Sequence, residues 1–198
     1  TTAFFPNFSE MNEFFNITGA GQEYNNPTQE LISLFVPGDT RKEVTVGVPG
    51  GFYDADSVFH ALPTSTNQTY TKKYFDSSPV RADSKANWKV IRYADVLLMY
   101  AEALNENGKP QQAIPFLNQV RTRAGLEGYP NTMSQTETRD AIVLERRLEL
   151  SFEGVRWFDL VRTGKAYEVM KDKGMAPYMT VFPIPLSQVQ IINDPTIF

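Results

Sequence analysis

Apolar residues recur at helical spacing through the second half of the chain, where they predict a pair of helices. Residues 90–107 carry an apolar stripe with the i, i+3, i+4, i+7 spacing of one helix face. Gly108 suits the left-handed residue that ends a helix, and Pro110 suits the first turn of the next helix. A second apolar stripe follows and ends at Gly125. The pattern therefore predicts two helices joined by a short turn.

The two stripes share the register of a tetratricopeptide-type helical hairpin. One such hairpin cannot bury both of its faces, and three or more copies usually stack. Because the sequence shows one clear copy, its neighbours are expected from elsewhere in the chain or from a longer protein. The predicted fold is mainly α, a tetratricopeptide-like helical scaffold with large loop-rich segments and little β. The matching apolar and small positions are Leu97, Ala101, Leu104, Ala113, Leu117 and Val120.

Local signals predict further elements after the hairpin. Ser134 and Glu137 form a capping box, which predicts a long helix that runs to about Gly154. A shorter helix is predicted at residues 157–162. Residues 181–185 are predicted to be extended, because a residue that precedes proline is disfavoured in the helical conformation.

The first 80 residues differ from the rest in charge and in turn content. They carry four basic and nine acidic side chains, whereas residues 81–198 carry fifteen basic and fourteen acidic ones. Residues 1–80 are therefore predicted to be a loop-rich segment, and residues 81–198 a helical region. Within the first segment the pattern predicts a short helix at 27–35, a possible strand at 44–48 and an exposed loop at 64–71.

Composition excludes several kinds of chemistry. The chain has no cysteine and a single histidine, His60, which excludes disulfides, thiolate nucleophiles and any site that needs two imidazoles. The net charge of −4 argues against a nucleic-acid partner. No cofactor is predicted, and none of the apolar runs approaches the roughly 20 residues that span a bilayer.

The most unusual segment is an acidic ladder, which we define as Glu145, Glu149 and Glu153. Spacing of four residues would place three like charges along one helix face, where they repel each other. Arginines from other segments offer the simplest neutralisation, because planar guanidinium groups pair well with carboxylates. The ladder is therefore predicted to belong to a structural charge network. The residues assigned to it are Arg92, Asp95, Arg121, Arg123, Glu145, Glu149, Glu153, Arg156, Asp159 and Arg162.

A catalytic alternative makes Glu145 and Glu149 the acid/base pair of a glycoside hydrolase. Two observations oppose it. Nearby arginines would hold both carboxylates ionised, and residues four apart on one helix lie side by side rather than on opposite sides of a sugar ring. The sequence therefore favours a protein that is not an enzyme.

The aromatic residues, 13% of the chain, divide into two groups. Those on or beside the amphipathic helices are predicted to be core: Tyr93, Tyr100, Phe116, Phe152, Trp157 and Phe158. Others lie in turn-rich segments, where a flat apolar face with a polar tip can stack on a sugar or dock a partner. From this second group, Tyr53, Tyr70 and Tyr74 are the candidate ligand-binding residues.

Four blocks, in order, resemble the C-terminal signature of the SusD/RagB family. They are residues 87–104 (NWKVIRYADVLLMYAEAL), 118–125 (NQVRTRAG), 145–162 (ERRLELSFEGVRWFDLVR) and 182–185 (FPIP). The resemblance implies a mostly helical scaffold that binds polysaccharide, oligosaccharide or peptide without catalysis. It also implies that the charged residues of these blocks are internal framework. Ligand contacts vary in the family, so the resemblance assigns none here.

The resemblance also implies partners and a location. Members are surface-exposed outer-membrane lipoproteins that deliver ligand to a SusC-like TonB-dependent transporter. The family's N-terminal portion, with the lipid-bearing cysteine, does not match this sequence, so the N-terminal remainder of the same protein is an expected partner. The remaining alternative is a tetratricopeptide-type interaction module that grips a peptide or a partner helix.

Overall fold

The computed structural model describes residues 26–47, 51–53, 59–61, 69–73 and 89–192, and these residues are mostly helical. The prediction of a mainly helical fold with little β is confirmed. The chain divides into two compact units, Thr1–Gly154 and Val155–Phe198. The predicted boundary at 80/81, by contrast, falls among residues outside the described ranges. None of the described helices is both long enough and apolar enough to cross a membrane.

The first unit contains five described helices and four short strands. The helices are α1 (Gln29–Leu34), α2 (Arg41–Thr45), α3 (Tyr93–Glu106), α4 (Pro110–Arg123) and α5 (Gln135–Glu149). The strands are β1 (Val46–Gly47), β2 (Gly51–Tyr53), β3 (Phe59–Ala61) and β4 (Tyr70–Thr71). Two antiparallel pairs result, because β1 pairs with β4 and β2 pairs with β3.

Helices α3, α4 and α5 pack against one another as a three-helix bundle. The turn between α3 and α4 follows the prediction, since Gly108 has a positive φ of 72° and Pro110 opens α4. Burial of the apolar stripes is the main stabilising term, at about 25 cal/mol per Å² of apolar surface. The buried core of the bundle consists of Leu97, Leu98, Ala101, Ala113, Leu117, Val120, Ala141 and Ile142.

The capping box at the start of α5 forms as predicted. The Ser134 hydroxyl accepts from the Glu137 amide at 3.3 Å, and a Glu137 carboxylate oxygen accepts from the Ser134 amide at 2.7 Å. The predicted end of this helix is wrong, however, because α5 stops at Glu149 and not near Gly154. Phe152 has a positive φ of 65°, which a continuing α-helix does not allow. Glu153 therefore lies in the turn after α5.

The amino-terminal segment forms one predicted helix and corrects two other predictions. Helix α1 lies within the predicted 27–35 range, capped by the Thr28 hydroxyl. The predicted strand at 44–48 is wrong at its start, because residues 41–45 form α2 and only Val46–Gly47 pair as a strand. Arg41 and Thr45 are buried four residues apart, the spacing of one helix face. Thr71 is fully buried in β4, so the predicted exposed loop is wrong at that residue; 64–68 lie outside the described residues.

The amino-terminal segment packs directly on the bundle. Phe35 and Val46 form a small buried cluster with Leu148 of α5. The Thr40 amide donates to the Ala124 carbonyl at the end of α4, over 3.0 Å. At this junction Gly125 has a φ of 82°, and a Cβ added there would lie 2.9 Å from the Gly38 carbonyl oxygen. Only glycine fits this approach without displacing the backbone.

The aromatic residues predicted as core are only partly so. Tyr93 is 73% exposed, Tyr100 is 50% exposed and Phe158 is 69% exposed. Helix α3 buries Leu97, Leu98 and Ala101, and the two tyrosines lie outside this buried face. Phe116 contacts the bundle core and meets the Tyr100 ring edge-to-face, with the ring centroids 4.6 Å apart.

The second unit is a series of short helical segments. The helices are α6 (Arg156–Arg162), α7 (Ala166–Met170) and α8 (Leu186–Ile192), with 3₁₀ turns at Lys171–Lys173 and Pro177–Thr180. Helix α6 agrees with the prediction at 157–162. Leu160 and Ala166 are the buried apolar residues of this unit among those described. Val181 is extended, in agreement with the extended segment predicted at 181–185.

Candidate functional site

The acidic ladder lies inside the first unit. Glu145, Glu149 and Glu153 are 0%, 4% and 7% exposed. The first two project from the same face of α5, and the third follows from the turn after it. Burial of three carboxylates is unfavourable unless each has a cationic or hydrogen-bonding partner. The surrounding cations therefore determine what this cluster can do.

Glu145 is held by two guanidinium groups from different parts of the chain. Its Oε2 accepts from Arg41 Nη1 of α2, and its Oε1 accepts from Arg121 Nη1 of α4, each over 2.6 Å. Arg121 also lies over the Tyr129 ring, 4.1 Å from its centroid, and donates to the Tyr129 hydroxyl. Arg41 is itself oriented by a bidentate pair with the buried Asp39. Both oxygens of Glu145 are thus occupied, and no solvent reaches the side chain.

Glu149 is shared between two further arginines. Arg92 Nη1 donates to Oε1 over 2.9 Å, and Arg123 Nη2 donates to Oε2 over 2.5 Å. Arg92 immediately precedes α3, and Arg123 is the last residue of α4. This carboxylate therefore connects the start of α3 to the end of α4 through α5.

Glu153 is bound by a guanidinium fork and by a lysine. Arg92 donates from Nε and Nη2 to the two carboxylate oxygens, each over 2.7 Å. Lys73 Nζ lies 2.5 Å from Oε1 and also donates to the carbonyls of Glu149 and Ser151. Lys73 thus ties the segment after β4 to the turn that follows α5.

The structure brings together six of the residues that the sequence assigned to the network. They are Arg92, Arg121, Arg123, Glu145, Glu149 and Glu153. Asp95 makes a separate pair with Arg146, over 2.8 Å. Arg156, Asp159 and Arg162 belong to the second unit, where Arg162 pairs with Asp159 over 2.8 Å.

Sequence reasoning missed three members of the network, Asp39, Arg41 and Lys73. All lie in the loop-rich first segment, far along the chain from their partners. The spacing of Asp39 and Arg41 allows a local ion pair, but Glu145, the distant partner of Arg41, follows 104 residues later. Nothing in local periodicity connects positions so far apart.

The electrostatics of the network favour its charged form. Burial by itself raises the pKa of Glu153, but hydrogen bonds and charge from Arg92 and Lys73 outweigh burial and hold that pKa below its usual value. Burial likewise opposes the charge of Arg41 and Arg92, yet their carboxylate partners raise both pKa values above the ordinary range. For Lys73 burial dominates and lowers its pKa, against the pull of Glu153. The described network therefore consists of paired charges, and none of its carboxylates is exposed.

The depressed pKa of Glu153 predicts a stability loss in acid. A carboxyl whose pKa is lower in the folded state stabilises the fold above its unfolded value, near 4.5, and loses this contribution as the pH falls. We expect the melting temperature of Glu153→Gln to fall less steeply than that of the wild type between neutral pH and about pH 3. Glu168→Gln is the exposed control: Lys165 also lowers the pKa of Glu168, but solvent screens this pair, so the slope should differ far less from that of the wild type. If the melting temperatures of the wild type and Glu153→Gln fell equally with pH, the lowered pKa of Glu153 would be contradicted.

Two of the three candidate ligand-binding tyrosines lie on described strands. Tyr53 ends β2 and Tyr70 begins β4, and these strands belong to different antiparallel pairs. Tyr74 lies outside the described residues. Among the described side chains, no group of three or more potential ligands is placed to hold a metal ion.

These features define a class of protein: a helical-hairpin scaffold whose most charged segment is buried and paired. The sequence model of the SusD family matches residues 8–194. The chain belongs to the SusD family, as its signature blocks predict.

Individual relatives support the same family. The chain is 36% identical over 156 residues to SusD-like protein P38 of Formosa agariphila, and 37% identical over 128 residues to SusD-like protein P25 of that organism. These matches cover 75% and 59% of the chain. The chain spans 28% of the length of P38 and 24% of that of P25.

Solved structures with the same fold include two whose names state a ligand class. A laminarin-binding SusD-like protein is 31% identical, with a TM-score of 0.63, over 94% of this chain and 40% of its own. Surface glycan-binding protein A of Bacteroides uniformis is 30% identical, with a TM-score of 0.57, over 73% of this chain and 30% of its own.

Proposed function

We propose that this chain is part of a surface protein that binds glycan without catalysing a reaction on it. Membership of the SusD family and similarity to a laminarin-binding member support glycan as the ligand class. The observation that supports binding without catalysis is the burial and pairing of the acidic ladder. Glu145, the first residue of the hydrolase alternative, is fully buried and accepts from two arginines. A sugar ring has no access to it.

The finer proposals concern delivery and location. We propose that the protein is an outer-membrane lipoprotein that passes ligand to a SusC-like TonB-dependent transporter, as the family resemblance implies. Glycan is favoured over peptide because the two named neighbours bind glycan or laminarin. Simultaneous contact of the ligand with the transporter would also compensate for the modest affinity of each single contact.

Stacking by loop aromatics is the proposed source of affinity. A tyrosine ring covers the apolar face of a sugar while its hydroxyl reaches a hydrogen-bond partner. Tyr53 lies in β2, Tyr70 lies in β4, and Tyr74 follows shortly after β4 in the sequence; these three are the proposed stacking residues.

We expect the triple change of Tyr53, Tyr70 and Tyr74 to alanine to weaken laminarin binding at least tenfold, with little change in melting temperature. Three lost aromatic contacts, each of about 0.5–1.5 kcal/mol, account for this loss. Isothermal titration calorimetry with laminarin measures it, and Tyr167→Ala, at a half-exposed position in α7, is the control. Unchanged affinity in the triple variant would remove these residues from the site.

Catalysis has its own assay. The purified chain should release no reducing sugar from laminarin on prolonged incubation. Sugar release that Glu145→Gln or Glu149→Gln abolishes would overturn the non-catalytic proposal.

A further inference from the structure

A groove lies between the start of α3 and the end of α4, and the charge network forms one of its walls. We name it the α3–α4 groove. It encloses about 640 Å³, within the range of small-molecule sites. Arg92 and Tyr93 line it from the α3 side, and Gln119, Thr122 and Arg123 line it from α4. The buried side chains of Leu97 and Val120 form its apolar floor.

The network beside the groove carries one more cation than carboxylates. Among the described residues, five cationic side chains contact four carboxylates. The cations are Arg41, Lys73, Arg92, Arg121 and Arg123, and the carboxylates are Asp39, Glu145, Glu149 and Glu153. Within this network, one positive charge therefore has no carboxylate of its own.

The surplus is most accessible at Arg123. Its side chain is 58% exposed, whereas the other four cations of the network are 7–21% exposed. Only Nη2 is used, by Glu149, and Nε and Nη1 have no partner among the described residues. Arg123 therefore keeps unused N–H donors at Nε and Nη1, and either can donate to an oxygen of an incoming carboxylate.

The backbone adds to the positive potential of the groove. Helix α3 is 14 residues long and begins at the groove, and the side chain of Arg92, before it, does not cap it. The amides of Tyr93 and Ala94 lie in the first turn, where a helix offers no internal acceptor. The positive end of the helix dipole therefore reinforces the attraction of Arg123 for an anion.

The rest of the lining fits a sugar ring. The Tyr93 side chain stands at the rim of the groove and is 73% exposed, so its face is open to stacking. Gln119 supplies a side-chain amide. The Thr122 hydroxyl donates to the Asn118 carbonyl, which leaves its oxygen able to accept from a sugar hydroxyl.

We propose that the α3–α4 groove binds a uronic acid residue of an acidic oligosaccharide. Arg123 receives the carboxylate, Tyr93 stacks on the ring, and Gln119 and Thr122 contact its hydroxyls. This inference rests on the proposed glycan-binding function and adds a preference for acidic sugars at a second place on the chain. It requires no contribution from Tyr53, Tyr70 or Tyr74.

The test compares two sugars that differ only at the carboxylate. Calorimetry on the 198-residue chain at low salt uses α-1,4-linked trigalacturonate and its neutral counterpart, α-1,4-galactotriose. We expect trigalacturonate to bind at least tenfold more tightly, because a hydrogen-bonded charge pair contributes about 1.5–3 kcal/mol. This preference should shrink as salt is added. Equal affinity for the two sugars would overturn the proposal.

Variants locate the binding. Arg123→Gln and Tyr93→Ala should each lower the affinity for trigalacturonate about tenfold, and Arg123→Lys should retain part of it. Arg139→Gln, at an exposed pair with Glu106 away from the groove, is the matched control and should bind as the wild type does. A wild-type affinity in both groove variants, or displacement of trigalacturonate by hexaglutamate at equal concentration, would refute a sugar-specific site.

The outcome separates this inference from the proposed function. Laminarin binding that persists in Arg123→Gln, together with loss of trigalacturonate binding, supports both. If the wild-type chain binds laminarin but not trigalacturonate, the groove proposal is refuted and the proposed glycan-binding function stands. Failure to bind either sugar refutes both.

Discussion

Replacement of Glu145 by alanine is expected to destabilise the protein by about 3–5 kcal/mol, the usual cost of breaking a buried ion pair. The carboxylate is fully buried and is the acceptor for Arg41 and Arg121. Its removal would leave Arg41 with Asp39 and the more distant Glu149, 3.8 Å away, and would take from Arg121 its only described carboxylate. Urea unfolding of the wild type and the variant measures the difference in free energy.

Two further variants make this result specific. Glu168→Ala breaks an exposed pair with Lys165 and should cost less than about 1 kcal/mol. Glu145→Gln keeps the shape of the side chain and one acceptor oxygen, so it should lie between the two. If Glu145→Ala were as stable as Glu168→Ala, the network would not hold the fold together.

Substitution of Gly125 by alanine is expected to cost about 2–5 kcal/mol. The left-handed backbone at this residue costs a side chain about 1–2 kcal/mol, and displacement of a packed neighbour typically adds 1–3 kcal/mol. The neighbour is the Gly38 carbonyl oxygen, 2.9 Å from the position of the new Cβ. Because a backbone atom and not a flexible side chain is in the way, the amino-terminal segment must shift.

Gly108→Ala separates the two contributions. Gly108 also has a positive φ, 72°, but nothing lies within 4 Å of a Cβ added there. Only the backbone term should appear, about 1–2 kcal/mol. Thermal unfolding measures the loss of stability in both variants, and the difference between them is the contribution of the close approach to Gly38. Equal losses would show that the alanine side chain at position 125 does not meet the Gly38 carbonyl in solution.

The helical bundle was accessible from the sequence because its signals are local. Apolar periodicity, Gly108 and the Ser134 capping box each act within a turn or two of the chain, and they locate α3, α4 and the start of α5. The family follows from blocks that include these same helices. The end of α5 was placed too late because Phe152 carries no sign that it adopts a left-handed backbone.

The partners of the acidic ladder were only partly accessible. Repulsion between Glu145, Glu149 and Glu153 indicates that these residues need cationic partners. Arg92, Arg121 and Arg123 were chosen because guanidinium groups pair well with carboxylates and these arginines lie in the helical region. Arg41 was not foreseen, because residues 44–48 resemble a strand and the burial of Arg41 depends on α2. Exposure of Tyr93 and Tyr100 was also missed, since periodicity shows which residues share a helix side but not which sides a tertiary neighbour covers.

The pairing of Arg41 with Glu145 bears on how the protein is made. Arg41 is released by the ribosome 104 residues before Glu145, so the amino-terminal segment leaves the exit tunnel with Asp39 available to the arginine and Glu145 still to be made. Residues 110–123 and 135–149 must follow before the guanidinium finds both its acceptor and its final surroundings. Closure of the first unit is thereby deferred to the moment when α5 is complete, late in the translation of this region.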